Sequence, residues 1–241
     1  MKVITLILIG FFATFCSEQQ TLLEQVRQSG ELRVVTRSNR TTCCRIGDRL
    51  IGFECSLAQR FADELGVRLT MVFVENDNQI VDAINRGEGH LAVGLKANAR
   101  HGESIHFGPH YQQIRQQIVY RRGKERLNDP ADLTGKRLEV APGHGYKDKL
   151  RALAEENQDF TWQERPSLTT TELLSLVLKR EVDVTIADSN EITLMRQLYP
   201  ELSVAFDVGH QPLAWAFPSN ADDSLYVKAL VPKSCSADEI R

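Results

Sequence analysis

The chain has 241 residues, 42% of them apolar and 25% charged, which excludes a disordered, collagenous or multiply membrane-spanning protein and suits one large or two small globular domains. Its 29 basic against 32 acidic residues leave a formal charge of −3, without the cationic excess that a nucleic-acid-binding surface needs.

The N-terminus carries the one strong compositional bias. After Lys2, residues 3–16 are largely apolar but fall short of the ~20 residues that a membrane-spanning helix requires. Residues 1–16 read as an export signal cleaved before Ser17, with the small residues Thr14 and Cys16 at the −3 and −1 positions. An alternative makes Cys16 a lipidation site that tethers the mature chain to the outer membrane, and the bulky Phe15 before it speaks against this. The expected location is periplasmic. In that oxidising compartment Cys55 can bridge to either member of the adjacent pair Cys43 and Cys44, and the spacing leaves the choice open. Neither that pair nor Cys235 makes a C-x-x-C zinc spacing.

Leu32-Arg33-Val34-Val35-Thr36 follows Ser29-Gly30 and predicts a first strand that runs into a turn-rich loop. From Ser56, Leu57, Ala58, Phe61, Ala62 and Leu65 recur at helical spacing and stop at Gly66. Val67, Leu69, Met71 and Phe73 alternate as a strand, Ile80, Val81 and Ile84 mark a short helix, and residues 90–95 form a third strand. Strands alternating with helices at this spacing predict βαβ units and a parallel sheet. The pattern then restarts: a short helix and turn over residues 129–135, a strand over 138–141, and a helix opened by Gly143-His144-Gly145. A buried helix over 169–181, a strand over 182–188 and a helix marked by Ile192, Met195 and Leu198 complete it. Two α/β lobes predict a cleft between them, with ligands held beyond the carboxyl ends of the strands.

Several segments carry a family resemblance. Gly30-Glu31-Leu32-Arg33-Val34, Gly52-Phe53-Glu54 leading into Leu57 and Ala58, Phe107-Gly108-Pro109-His110-Tyr111, Asp132-Leu133-Thr134-Gly135-Lys136 and Ala187-Asp188-Ser189, in that order, resemble the extracellular solute-binding proteins of family 3. Ala141-Pro142-Gly143-His144, Tyr199-Pro200-Glu201-Leu202 and Gln211-Pro212-Leu213-Ala214-Trp215 are similar to the N-terminal module of the membrane-bound lytic murein transglycosylases F. The likeness runs over residues 22–230 and implies a two-lobed, periplasmic-binding-protein-like (type II) α/β fold with a hinge and a central cleft. Lobe 1 would comprise residues 17–115 and 206–241, lobe 2 residues 116–205, with hinge crossings near residues 112–119 and 202–208.

A ligand carrying both an ammonium and a carboxylate needs an anion facing a cation or a helix N-terminus. Asp188, at a strand end, suits the ammonium through charge-assisted hydrogen bonds, or caps the following helix. Gly143 and His144 sit where backbone N–H groups meet an anion, although an ordinary strand-to-helix turn reads the same way. His144 adds a donor that titrates near neutral pH. In amino-acid-binding members of the family an Arg grips the ligand carboxylate; that position here is His101, with Arg100 beside it and Asn98 in the same loop. Arg binds a carboxylate bidentately and His through one hydrogen bond, so the clamp changes geometry. Tyr111 either lines the cleft near the hinge or packs between the lobes. His101, His106 and His110 do not share a helical face and have no accompanying carboxylate pair, so neither a metal nor a cofactor is expected.

The leading expectation is an exported, monomeric, non-catalytic module that closes over an amino acid, a short peptide or a murein fragment, with a transporter or a cell-wall enzyme as partner. The resemblance implies regulation of murein cleavage, and the family's catalytic domain has no counterpart after Leu230. Two alternatives stand beside it. One is a dehydratase-like enzyme on the same scaffold, using Glu54 or Asp188 on a small acid. The other is a poorly folded remnant, since residues 231–241 show no apolar periodicity.

Overall fold

Helix α1 (Leu22–Ser29) starts at a reciprocal cap, Thr21 bonding the Glu24 N–H while the Glu24 carboxylate accepts from the Thr21 N–H, and it stops at Gly30. The computed structural model describes residues 20–38, 42–97, 104–123, 125–142, 146–156 and 161–230. Strand β1 (Glu31–Arg37) follows, then the hairpin β2 (Cys44–Ile46) and β3 (Arg49–Ile51), α2 (Phe53–Leu65), β4 (Arg68–Val74), α3 (Asp77–Asn85) and β5 (Leu91–Lys96). β6 (Ile105–Arg121) crosses to the second lobe, which contains β7 (Leu138–Val140), α4 (Lys147–Glu156), β8 (Trp162–Glu164), α5 (Thr170–Lys179), β9 (Val184–Asp188) and α6 (Ser189–Leu198). β10 (Leu202–Pro218) returns to the first lobe, and α7 (Ser224–Leu230) packs there beside α1, where the α1 N–H groups of Leu22 and Leu23 donate to Asp222 and Ser224.

Eight strands form one mixed sheet in the order β4-β1-β5-β10-β6-β9-β7-β8. Within each lobe the sheet is parallel, β1 pairing with β4 and β5, and β7 with β8 and β9. The sequence reading of a parallel sheet therefore holds inside the lobes and needs correcting at their junction. There the chain crosses twice in opposite directions, so β6 and β10 pair antiparallel with each other, β10 with β5 and β6 with β9. Alternation along the strands builds a core on each face. Leu32 and Val34 face α1 and α2, and Val35 faces α3. Ile118, Val184 and Ile186 pack with Leu150 of α4, while Val119 and Ala187 pack with Leu174, Val177 and Ile192 of α5 and α6.

Gly52, at φ 135°, turns the hairpin into α2. A Cβ there would lie 2.2 Å from the Thr42 carbonyl oxygen, which accepts the Glu54 N–H at 3.0 Å. The same loop is pinned to α2 by a disulfide between Cys43 and Cys55, with Cα atoms 5.2 Å apart; Cys44 is a free thiol. The open choice between the two adjacent cysteines thus falls on Cys43, which is buried against α2. The helix expected from Ser56 begins three residues earlier, at Phe53, on this glycine turn.

Candidate functional site

A cleft of about 660 Å³ lies between the lobes, larger than the surface cavities of about 420 and 570 Å³ elsewhere. Its floor is the pair of crossing strands, represented by Ile114 and Leu213. The first lobe contributes the ends of β1 and β5, and the second contributes the end of β9, the start of α5 and one side of α6. These are the carboxyl ends of parallel strands, where open α/β sheets hold ligands.

At the base of the cleft a lysine from one lobe meets an aspartate from the other. β5 carries a bulge: Ala214 of β10 pairs with Leu95 and Ala216 with Ala92, so three steps along β5 match two along β10. Gly94, in the left-handed region at φ 73°, absorbs the extra residue. Leu95 is thereby placed on the α3 face with Ala92, and the next residue, Lys96, turns into the cleft. Opposite it, β9 passes directly into α6, leaving Asp188 as both the last strand residue and the helix N-cap. The Lys96 Nζ lies 2.6 Å from the Asp188 carboxylate, and each side chain is only 11% exposed. The Asp188 N–H is taken by the Glu191 carboxylate at 3.4 Å.

Around this pair the walls offer neutral polar groups, among them Ser38, Thr42 and Asn76 from one lobe and Thr170, Thr171 and Asn190 from the other, together with two further carboxylates, Glu75 and the Glu191 that accepts the Asp188 N–H. Arg37 also lines the cleft, with its guanidinium paired to Asp77 at 2.8 Å. Met195, Leu198 and Tyr199 form an apolar rim, with Leu198 and Tyr199 exposed.

Glu54 lies outside the lining residues. It is buried in the first turn of α2 and accepts a hydrogen bond from the Tyr111 hydroxyl. Its Oε2 lies beside Trp215 without completing a hydrogen bond to Nε1, and both atoms are buried. Burial raises the Glu54 carboxyl above the usual carboxylate range, against the opposing pull of Tyr111 and Trp215. Burial and the neighbouring Glu54 charge raise the Tyr111 phenol, which stays a donor.

Of the residues singled out from sequence, Asp188 lines the cleft and Tyr111 instead stacks near Phe53 with its hydroxyl on Glu54. Asn98, Arg100, His101, Gly143 and His144 lie outside the described residues. Lys96 was not anticipated. Nothing in the periodicity of residues 90–95 signals a bulge except the glycine itself, and the side chain's direction follows from the pairing with β10.

Residues 32–164 match the bacterial extracellular solute-binding proteins, family 3. Membrane-bound lytic murein transglycosylase F of Saccharophagus degradans is 36% identical over 211 residues, covering 87% of this chain and 42% of the relative. Membrane-bound lytic murein transglycosylase F 1 of Alkalilimnicola ehrlichii is 39% identical over 215 residues, covering 88% and 44%. The chain thus spans about two fifths of the length of these curated relatives, and it matches their N-terminal region. In fold it resembles an ancestral cationic amino acid solute-binding protein (TM-score 0.71, 20% identity, 87% of this chain and 90% of that one). It also resembles an arginine-bound arginine-binding protein mutant from T. maritima (TM-score 0.68, 16% identity, 86% and 96%). These are type II periplasmic binding folds, and the chain belongs to the bacterial extracellular solute-binding proteins of family 3.

Proposed function

We propose that this chain is an exported, non-catalytic solute-binding module whose two lobes, residues 17–115 with 206–241 and residues 116–205, close over a small ligand. An amino acid, a short peptide or a murein fragment fits the reading, which also carries the similarity to the N-terminal region of lytic murein transglycosylases to a regulatory role in murein turnover. The ligand would lie between the loop holding Asn98, Arg100 and His101 and the turn holding Gly143 and His144, with Asp188 beneath it. The observation that supports this most directly is the Lys96–Asp188 pair, which joins the lobes at the base of a cleft lined by hydroxyl and amide groups. Charged groups fixed in advance from two hinged bodies are suited to gripping a ligand on closure.

Thermal unfolding of the chain, alone and with free amino acids, short peptides and murein fragments, tests the reading. A ligand at ~100 times its dissociation constant adds ~2.7 kcal/mol of stability. A cooperative transition raised by one class supports the binding module and identifies its ligand chemistry. A cooperative transition that no compound moves would overturn it for these ligands.

A further inference from the structure

We propose that Lys96 is a built-in occupant of the ammonium subsite and that the cleft consequently selects ligands without a free ammonium group, such as N-acylated amino acids and peptides. The inference rests on the binding-module reading and narrows it. A buried carboxylate at the base of a ligand cleft is the natural acceptor for a ligand's ammonium, and here that carboxylate, Asp188, is already held by an ammonium from the opposite lobe at 2.6 Å. Both side chains are 11% exposed. Separating such a pair is strongly unfavourable, because it strands a charge that has already left water.

A free amino acid reaching Asp188 must first evict Lys96 and leave that second ammonium beside its own. A ligand whose nitrogen is acylated makes no such demand. Its amide N–H and carbonyl, and any hydroxyls, meet the hydroxyl and amide groups of Ser38, Thr42, Asn76, Thr170, Thr171 and Asn190, while an anionic group is drawn to the cationic side of the pair. Lys96 thus acts by exclusion: it penalises one ligand class without touching the atoms that recognise the other. The bulge at Gly94 fixes this arrangement, since it is what turns residue 96 into the cleft.

The experiment compares matched series, free L-amino acids and their Nα-acetyl counterparts, by isothermal titration of the chain, Lys96→Met and the double variant Lys96→Met with Asp188→Asn. The unmodified chain should bind the acetylated member of a pair at least about 10-fold more tightly than the free one. Lys96→Met, with Asp188 released, should gain at least that factor for free amino acids. The double variant removes both charges together, which buried pairs tolerate far better than loss of one, and it should lose the discrimination. It keeps the test open if Lys96→Met alone fails to fold. Equal binding of free and acetylated members by the unmodified chain, or discrimination that persists in the double variant, would overturn the inference while leaving the binding module standing. No binding of either series by any of the three proteins would overturn the inference and, with it, the reading of the cleft as an amino-acid site.

Discussion

Burying the Glu54 carboxyl in the first turn of α2 disfavours its ionised form, and the hydrogen bond it accepts from the Tyr111 hydroxyl offsets that only in part. Its folded-state pKa therefore lies above the unfolded value, so between the two the native chain holds a proton that the unfolded chain has released. The stability associated with that proton is fully present below the unfolded value and is lost as pH rises through the folded one. Glu54→Gln has no proton to lose and still offers an oxygen to Tyr111. Its stability relative to the unmodified chain should rise with pH above the ordinary carboxylate range, with a slope approaching about 1.4 kcal/mol per pH unit. Urea unfolding of both proteins at a series of pH values measures this; parallel pH profiles would show that Glu54 is ionised at no cost where it lies. The place of Asp188 in the cleft lining was legible from its position at a strand end, whereas its partner was not, because Lys96 lies 92 residues away in sequence and meets it only once the two lobes are assembled.

At the scale of the element, β5 shows how one glycine directs a functional side chain. Gly94→Ala forces a Cβ into the left-handed region, which costs roughly 1–2 kcal/mol, and that Cβ would sit 3.0 Å from the Thr42 Cγ2. The variant should lose about that much stability in urea unfolding, and its discrimination against free amino acids should weaken as Lys96 shifts from Asp188; an unchanged midpoint would mean the bulge relaxes freely. The helices α2, α3, α5 and α6 and the strands β1, β4, β5, β7 and β9 were readable because each buries one face at its own period. The long strands β6 and β10 were not. From His106 to Gln113 β6 is exposed or half-buried except at Gly108, and it then passes into a run of buried positions, Gln116 to Tyr120, where it enters the second lobe. β10 changes register with β6 at several points and contains Pro212, so neither strand offers a regular period-2 signal. Helix α1 was readable in principle, since Thr21 and Glu24 have the spacing of a capping box.

At the scale of the molecule, the crossing strands tie the lobes into one sheet. β5 closes its outer edge on β10 and β9 closes on β6, while β6 and β10 pair with each other over most of their length, so neither lobe has a complete sheet without strands that also belong to the other. Unfolding one lobe would strip backbone partners and apolar cover from its neighbour, which favours a single cooperative transition. The chain's two tryptophans make this measurable: Trp215 packs on the first lobe's core beside Phe61, and Trp162 on the second lobe's core. In Trp162→Phe the emission reports the first lobe, and in Trp215→Phe the second. Each variant should give the same urea midpoint and slope by emission as by far-ultraviolet circular dichroism, because each probe sees the same event. An emission midpoint separated from that of the backbone signal in either variant would mean that the lobes unfold in turn, with the crossing strands acting as a linker between them and the cleft opening before the fold is lost.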